Sequence, residues 1–399
     1  MAELLTFEEA QARVLAHARP LETEPVALEL AAGRVVAEPA RAVVDLPPFP
    51  SSAMDGFAVR AADVPGALAI VGEAAAGLPS SRTLAAGETI AISTGGVVPA
   101  GADSVVPIEY VVRNDNVVQI GDSIEAGAHV RPRGGDVGAG DVVVEAGVRL
   151  GAAQLGGLAA AGVAEIRCAR LPRVAVLSTG TELVRPGDPL RDGQVYEANA
   201  VMLAAALAAA GALTEILPAV GDDESALRTA VERGLAADVL VSSGGVSVGP
   251  HDLVRRIEAE LGVEEVFWRV AIKPGKPVSF GVRGATLVFG LPGNPVSSLV
   301  GCELFVKPAL RALQGHAEPL PRFEPGTLAV PLRRNDARDD FVRARSRLVQ
   351  NGVVLEPLSG QESHMIARAA AADAVVHVPR GDGELAAGAA VRWLRLGAA

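Results

Sequence analysis

Hydrophobic positions change their period several times along this chain, and each change marks a new kind of element. Thr6-x-x-Glu9 opens a rhythm of helical period, so the spacing predicts a helix that begins on a capping box and runs to about residue 18. Pro20 and Pro25 end it, and a second helix-like stretch at 27–32 stops near Gly33. Pro47, Pro48 and Pro50 then impose an extended, irregular run. Beyond it the apolar runs become short, at 68–71, 89–92, 104–107, 116–120 and 142–144, and Gly and Pro separate them, which reads as a small β domain. Residues 151–162 are apolar and helical, and Pro172 marks a linker.

After Pro172 strands and helices alternate. Strands are expected at 174–177, 213–220, 239–242, 263–271, 278–280 and 286–289. Helices are expected at 199–210, 224–235, 252–261 and 296–313, with Asp222 or Asp223 capping the second. Alternation of this kind implies a parallel, doubly wound sheet. A second linker at 315–326 leads to a tail, 327–396, of short strands that reads as another β domain. The expected fold is α/β and multidomain. A central doubly wound parallel sheet is accompanied by an N-terminal helical and β region, an inserted β domain and a C-terminal β domain.

Composition narrows the function. At 399 residues the chain is long enough for two to four cores. A net charge of -11 and only 3% aromatic residues argue against a basic duplex-binding face or a stacking platform for single strands, so no nucleic-acid partner is expected. The longest apolar run, 201–213, is too short to span a bilayer, and no membrane partner is expected. Cys168 and Cys302 stand alone among apolar neighbours and form no CxxC motif. The N-terminal stretch is acidic and lacks the basic start of a signal peptide, so a reduced, cytoplasmic protein is expected.

In a doubly wound sheet, ligands bind beyond the carboxyl ends of the strands, and four of these ends carry unusual sequences. Ser178-Thr179-Gly180-Thr181-Glu182 joins small residues, which let backbone N–H groups approach an anion, to a carboxylate. Gly221-Asp222-Asp223 needs one Asp for a helix cap and leaves the other over. Ser242-Ser243-Gly244-Gly245-Val246-Ser247-Val248-Gly249, followed by Asp252, looks like an anion cradle feeding a helix N-terminus. Lys273-Pro274-Gly275-Lys276-Pro277 fixes two lysines on a rigid turn, and Leu291-Pro292-Gly293-Asn294-Pro295 leads to Ser297 at a helix start. Outside this region three loops stand out: 51–57 around Asp55, 92–96 around Thr94, and 131–136 with two arginines and Asp136. No Walker A or GxGxxG motif is present, and His251 beside Asp252 has no nucleophile elbow near it. The plain alternative for each loop alone is a tight turn or a helix cap.

Taken together these segments resemble the MoeA family, the molybdopterin molybdenumtransferases, which includes the matching domain of gephyrin. The likeness is carried, in order, by SSAMDGFAVR (51–60), STGG (93–96), RPRGGD (131–136), STGTEL (178–183), SSGGVSVG (242–249), KPGKP (273–277) and LPGNPVS (291–297). The resemblance implies a homodimer of elongated subunits, each with four domains: 1–45 plus 141–171 as a discontinuous dimerisation domain, 46–140 inserted into it, 172–315 as the molybdopterin-binding domain and 320–399 at the C-terminus. It implies adenylylated molybdopterin and molybdate as substrates, insertion of molybdate into the dithiolene, release of AMP and assistance by Mg²⁺. A molybdopterin adenylyltransferase is an implied partner. Asp55, Asp136, Glu182, Asp222 and Asp252 are the implied catalytic residues, with Asp222 and Asp252 on Mg²⁺. Thr94, Ser178, Thr179, Gly180, Gly244, Gly245, Lys273, Lys276, Pro292, Pro295, Ser297, Arg343 and Ser363 are implied to bind substrate or molybdate.

The match has departures. Arg269 stands where many members carry Lys, Thr181 replaces a common Asp, and 359–364 lacks the usual pair of adjacent serines around Ser363. Three other readings remain in play: a molybdopterin adenylyltransferase, a scaffold without turnover, and a tungstate-inserting enzyme. Two extra β domains count against the first, and the retained carboxylates and lysines against the second.

Overall fold

The protein is described by a computed structural model covering residues 4–221, 223–245 and 253–397. Its first helix, α1 (Phe7–His17), starts where expected: the Thr6 hydroxyl accepts from the Glu9 amide while the Glu9 carboxylate accepts from the Thr6 amide. The second helix-like stretch, 27–32, holds only one 3₁₀ turn, Leu28–Leu30, and the residues before it form a strand, Thr23–Ala27. Pro25 and Val26 extend because this strand pairs with Glu165–Ala169 across more than a hundred residues, a partner that local periodicity does not reveal. Ala40–Arg41 likewise pairs with Val142–Val144. Between them the chain builds a six-stranded sheet in the order Ser104–Pro107, Gly56–Val59, Glu88–Ile92, Gly66–Ala74, Val117–Ile120, Val111–Asn114. A short helix, α2 (Ala152–Ala160), closes this half.

The central sheet contains β1 (Arg173–Ser178), β2 (Leu213–Ile216), β3 (Val239–Ser243), β4 (Glu264–Trp268), β6 (Ser279–Arg283) and β7 (Thr286–Leu291), with the short strand β5 (Ile272–Lys273) lying outside it. The strand order is β2-β1-β3-β7-β6-β4. The first four run parallel, as the alternation requires. β6 runs against β7 because Arg283 pairs with Thr286 across a two-residue turn in which Gly284 has φ +59. Strand β2 stops at Ile216, short of expectation, where Pro218 follows and cannot donate to a ladder. The expected strand at 263–271 breaks at Arg269, whose φ is +76.

Side chains alternate across this sheet, and both faces are covered. Val174, Val176, Val239, Val241, Leu287 and Phe289 pack with α3 (Asn199–Ala209), α1 and the helical segment around residue 305. Ala175, Leu177, Leu240 and Val288 face α4 (Glu224–Gly234) and α5 (Leu253–Glu260). Burial on both faces is why these strands read as unbroken apolar runs. The last helical segment begins with α6 (Pro295–Gly301), passes through five residues of π-helix, Cys302–Val306, and ends in α7 (Lys307–Leu313).

The tail forms a closed barrel from β8 (Glu324–Leu328), β9 (Asp339–Val349), β10 (Gly352–Pro357), β11 (Ala374–Val378) and β12 (Ala390–Arg395), since β9 pairs with both β10 and β11. Strand β5 pairs in parallel with β9, so Ile272 lies opposite Asp339 and Lys273 opposite Asp340. The ring of Phe7 meets Phe341 edge-on at 5.3 Å, which joins α1 to the barrel. Among the described residues no helix is long and apolar enough to cross a membrane.

Candidate active site

Three of the loops singled out in the sequence meet at one end of the central sheet. Ser178 lies opposite Ser243, and Ser243 opposite Leu291, so the carboxyl ends of β1, β3 and β7 finish in register. The strand-end rule for α/β sheets places ligands there. A cavity of about 800 Å³ opens beside β1 and β2, lined by Ser178, Leu183, Arg185, Glu197, Val201 and Leu217 among others.

Among the described residues, three amides of the expected anion-binding loops already have partners. The amide of Thr179 donates to the Ser243 carbonyl at 2.9 Å, that of Gly180 to Val220 at 3.0 Å, and that of Gly244 to Leu291 at 3.1 Å. These three donors are spent on extending the ladder past the strand ends. The glycines act by close approach instead. A Cβ on Gly244, at φ +97, would stand 2.5 Å from the Thr179 carbonyl oxygen, and one on Gly245 would strike Val254 of α5. A Cβ on Gly180 would stand 2.6 Å from a carboxylate oxygen of Glu182, so the missing side chain is what lets that carboxylate fold back over the end of β1. Glu182 is itself exposed.

Beneath the loops lies a buried polar network that sequence reasoning missed. Glu197 accepts from the Ser178 hydroxyl at 2.8 Å and from the Ala200 amide at 2.7 Å, which caps α3. The Asn199 side-chain amide donates to the Ser243 hydroxyl and to the Gly293 carbonyl, both at 2.7 Å. Ser243 in turn donates to the Pro292 carbonyl at 3.2 Å, and Ser298 donates to the same oxygen. The turn 291–295 is therefore tied to the end of β3, and Pro295 begins α6 as a first-turn proline should. The only sequence signal was Glu197-x-Asn199 directly ahead of an Ala/Leu helix, which reads as ordinary capping.

The lysine turn packs against α6: a Cβ on Gly275 would lie 3.4 Å from the Ser297 carbonyl oxygen. Ser297 is buried, and Lys273 and Lys276 are exposed. Lys273 Nζ donates to Asp340 Oδ2 at 3.2 Å. A second cavity, about 460 Å³, opens here and is lined by Lys273, Arg333, Arg334, Asn335, Asp336 and Asp340. The barrel reaches the same place, because the Ser363 carbonyl accepts from the Val296 amide at 3.0 Å. Arg343 is only 1% exposed, and its Nη atoms donate to the carbonyls of Met365 and Gly360 at 2.8 Å. That geometry shapes the 360–365 loop around the guanidinium instead of presenting it to the cleft. Arg269 is committed to stacking, with its guanidinium 3.6 Å from the Trp268 ring centroid.

The β-insert loops form their own cluster. Asp55 Oδ1 accepts from the Thr94 amide at 2.6 Å and from its hydroxyl at 2.9 Å. Those bonds, the amide first, hold the Asp55 carboxyl below the usual aspartate range. Asp136 lies apart from this pair, exposed, on the rim of a cavity with Leu46 and Val143. Among the described residues no hydrogen bond or ion pair joins 46–140 to the central sheet or the barrel. Asp222 and Asp252 lie outside the described residues, as do 246–251. Among the described residues no group of three His, Cys, Asp or Glu is placed to hold a metal ion.

Comparison with known proteins covers almost all of this architecture. Residues 5–162 match the MoeA N-terminal region (domain I and II), 175–312 a probable molybdopterin binding domain, and 325–396 the MoeA C-terminal region (domain IV). The chain is 33% identical to the molybdopterin molybdenumtransferase of Haemophilus influenzae over 97% of this chain and 98% of that protein. It is 35% identical to molybdopterin molybdenumtransferase 2 of Mycobacterium tuberculosis, again over 97% and 98%. A crystal structure of a molybdopterin biosynthesis MoeA protein from Pyrococcus horikoshii superposes with a TM-score of 0.83 at 31% identity, covering 98% of this chain and 99% of that one.

Proposed function

The chain belongs to the MoeA family of molybdopterin molybdenumtransferases, a transferase of molybdenum cofactor biosynthesis, and from that membership we propose how its cleft works. Adenylylated molybdopterin binds across the ends of β1, β3 and β7, molybdate binds beside the lysine turn, and insertion of the metal accompanies release of AMP. The observation that carries this reading is the register Ser178–Ser243–Leu291, which brings three small-residue loops to one edge next to a cavity of about 800 Å³.

The chain's own groups divide the work. Ser178, Thr179, Gly180, Gly244 and Gly245 keep side-chain bulk away from the strand ends, so a diphosphate can approach the backbone. Lys273 and Lys276, with Ser297, Ser363 and the turn held by Pro292 and Pro295, offer charge and hydrogen bonds to an oxyanion. Arg343 holds the loop that carries Ser363. The Gly180 cradle leaves room for the Glu182 carboxylate, and Asp222 and Asp252, which lie outside the described residues, would offer the oxygen ligands that suit Mg²⁺. When bound there, Mg²⁺ supplies neutralisation of phosphate charge as AMP departs.

In this proposal the four units are 1–45 with 141–171, 46–140, 172–315 and 320–399. The protein works as a homodimer in which Asp55, Thr94 and Asp136 serve the cleft of a second copy. That arrangement accounts for an insert whose loops make no hydrogen bond to their own central sheet among the described residues. A reduced compartment, the cytoplasm, suits two unpaired buried cysteines, Cys168 and Cys302. A molybdopterin adenylyltransferase is the proposed upstream partner.

The test is AMP release from adenylylated molybdopterin with molybdate. Lys273→Ala and Asp55→Ala should each fall by about a hundredfold or more, as loss of a preorganised charge does. Mixed and reassorted, the two silent variants should regain about a quarter of wild-type activity, because half of the random dimers carry one intact cleft. Full activity of Lys273→Ala overturns the site, and failure to recover on mixing overturns the shared cleft.

A further inference from the structure

Asp340 is the feature of the oxyanion end that the reading above leaves unused. It sits on β9 opposite Lys273 of β5, and the residue is 8% exposed. One oxygen accepts from Lys273 Nζ at 3.2 Å, while the other, Oδ1, is buried with no hydrogen-bond partner. A carboxylate so placed is poorly solvated, and its cation is half exposed, with 54% of the Lys273 side chain open to water. Burial accordingly raises the Asp340 pKa above the ordinary aspartate value, and Lys273 only partly opposes that rise. By contrast the neighbouring Asp339 uses its Oδ1 to meet His377 Nε2 at 3.0 Å and to accept from the Arg380 amide at 3.2 Å; burial pushes its carboxyl upward, but these bonds hold it below the ordinary aspartate range.

Resting on the proposed oxyanion site, we propose that Asp340 is a positioning residue that holds Lys273 in the empty cleft and takes up one proton from solvent when a tetrahedral oxyanion claims the lysine. The electrostatics require a change of this kind. A dianion arriving at Lys273 would stand near a buried carboxylate of the same sign, and two such charges are not held together at close range in a site of low dielectric. Protonation removes the repulsion, leaves a neutral carboxyl that costs less to bury than the carboxylate, and keeps Lys273 cationic for the ligand.

The other charged groups around Asp340 do not replace this proton. Across the cavity stand Arg333, Arg334 and Asp336. Arg334 is committed to the carbonyls of Pro379 and Arg380. On its own strand side Asp340 has Arg338, which favours ionisation, and Asp339, which opposes it. Val378, opposite on β11, brings no charge.

The full-length protein would be titrated calorimetrically with molybdate alone, at neutral to mildly alkaline pH, in buffers of different ionisation enthalpy. Uptake of about one proton per oxyanion is expected, so affinity should fall up to about tenfold per pH unit as the pH rises above the Asp340 pKa. Asp340→Asn should bind with no proton uptake and a flat pH profile, which a residue that only braced the fold would not produce. Wild-type binding without proton uptake, or equal uptake by Asp340→Asn, overturns the role of Asp340. Failure of the wild type to bind molybdate overturns the oxyanion site itself, and the two failures are distinct.

Discussion

At the scale of single residues, Gly244 shows how a site can depend on an atom that is missing. Its φ of +97 and the Thr179 carbonyl oxygen 2.5 Å from the position of a Cβ both reject any side chain. Gly244→Ala should therefore cost about 1–3 kcal/mol in backbone strain, lowering the thermal midpoint by several degrees. It should also abolish AMP release by pushing the 243–245 loop off the end of β1. An alanine variant with wild-type stability and turnover would contradict this reading of the loop. The glycine-rich string at 242–249 was singled out by its composition, and among its described residues the Gly244 amide is bound to Leu291. The sequence pointed to N–H donors aimed at an anion, whereas the amides of Thr179, Gly180 and Gly244 are bound to neighbouring strands. Which partner an amide finds is a matter of strand register, and no local pattern encodes it. Asp340 was equally hidden, because an Asp-Asp pair in a polar stretch reads as surface until the barrel closes over it.

At the scale of elements, the helix from Pro295 to Leu313 carries a π segment that its pattern concealed. Residues 302–306 are apolar or paired on every side, so a slipped hydrogen-bond ladder leaves the hydrophobic sequence unchanged. Four residues beyond Leu304 stands Pro308, which has no N–H to give to the Leu304 carbonyl, and the side chain of Gln11 on α1 donates to that oxygen at 2.8 Å. Gln11→Ala leaves that buried acceptor bare and should cost about 1–3 kcal/mol, read as a shift in denaturant midpoint at constant slope. No change in midpoint would mean that the ladder repairs itself. Elsewhere elements were legible where the chain decides locally: the capping box of α1 and the alternating strands of the central sheet both appear as the spacing required. Legibility failed at 27–32, where the stretch follows a strand paired to distant residues and keeps only a 3₁₀ turn, and at 263–271, where a left-handed Arg269 ends the strand.

At the scale of the whole molecule, one polar contact between the linker and the central sheet reports on pH. Asp238 accepts from both Nη atoms of Arg170, at 2.7 and 2.6 Å, and from the Arg173 amide at 2.8 Å, tying the linker to the start of β3. Burial pushes the Asp238 pKa upward, but these bonds outweigh it, and the net shift is below the ordinary value of 3.8. A folded pKa lower than the unfolded one adds stability above 3.8 that disappears as the pH falls through the folded value. Asp238→Asn should thus melt below wild type at neutral pH, with a gap that stays level down to about pH 5 and closes in stronger acid. A gap independent of pH would exclude the charge as its source. The pairing of Lys273 with Asp340 carries a different consequence. The lysine turn lies in sequence within the central domain, yet the strand that aligns it belongs to the terminal barrel. These two parts cannot be shuffled as independent modules. A chimera that joined this central domain to a foreign tail would keep its six-stranded sheet and still lose the alignment of its cationic turn, so the two segments must be inherited, or engineered, as a matched pair.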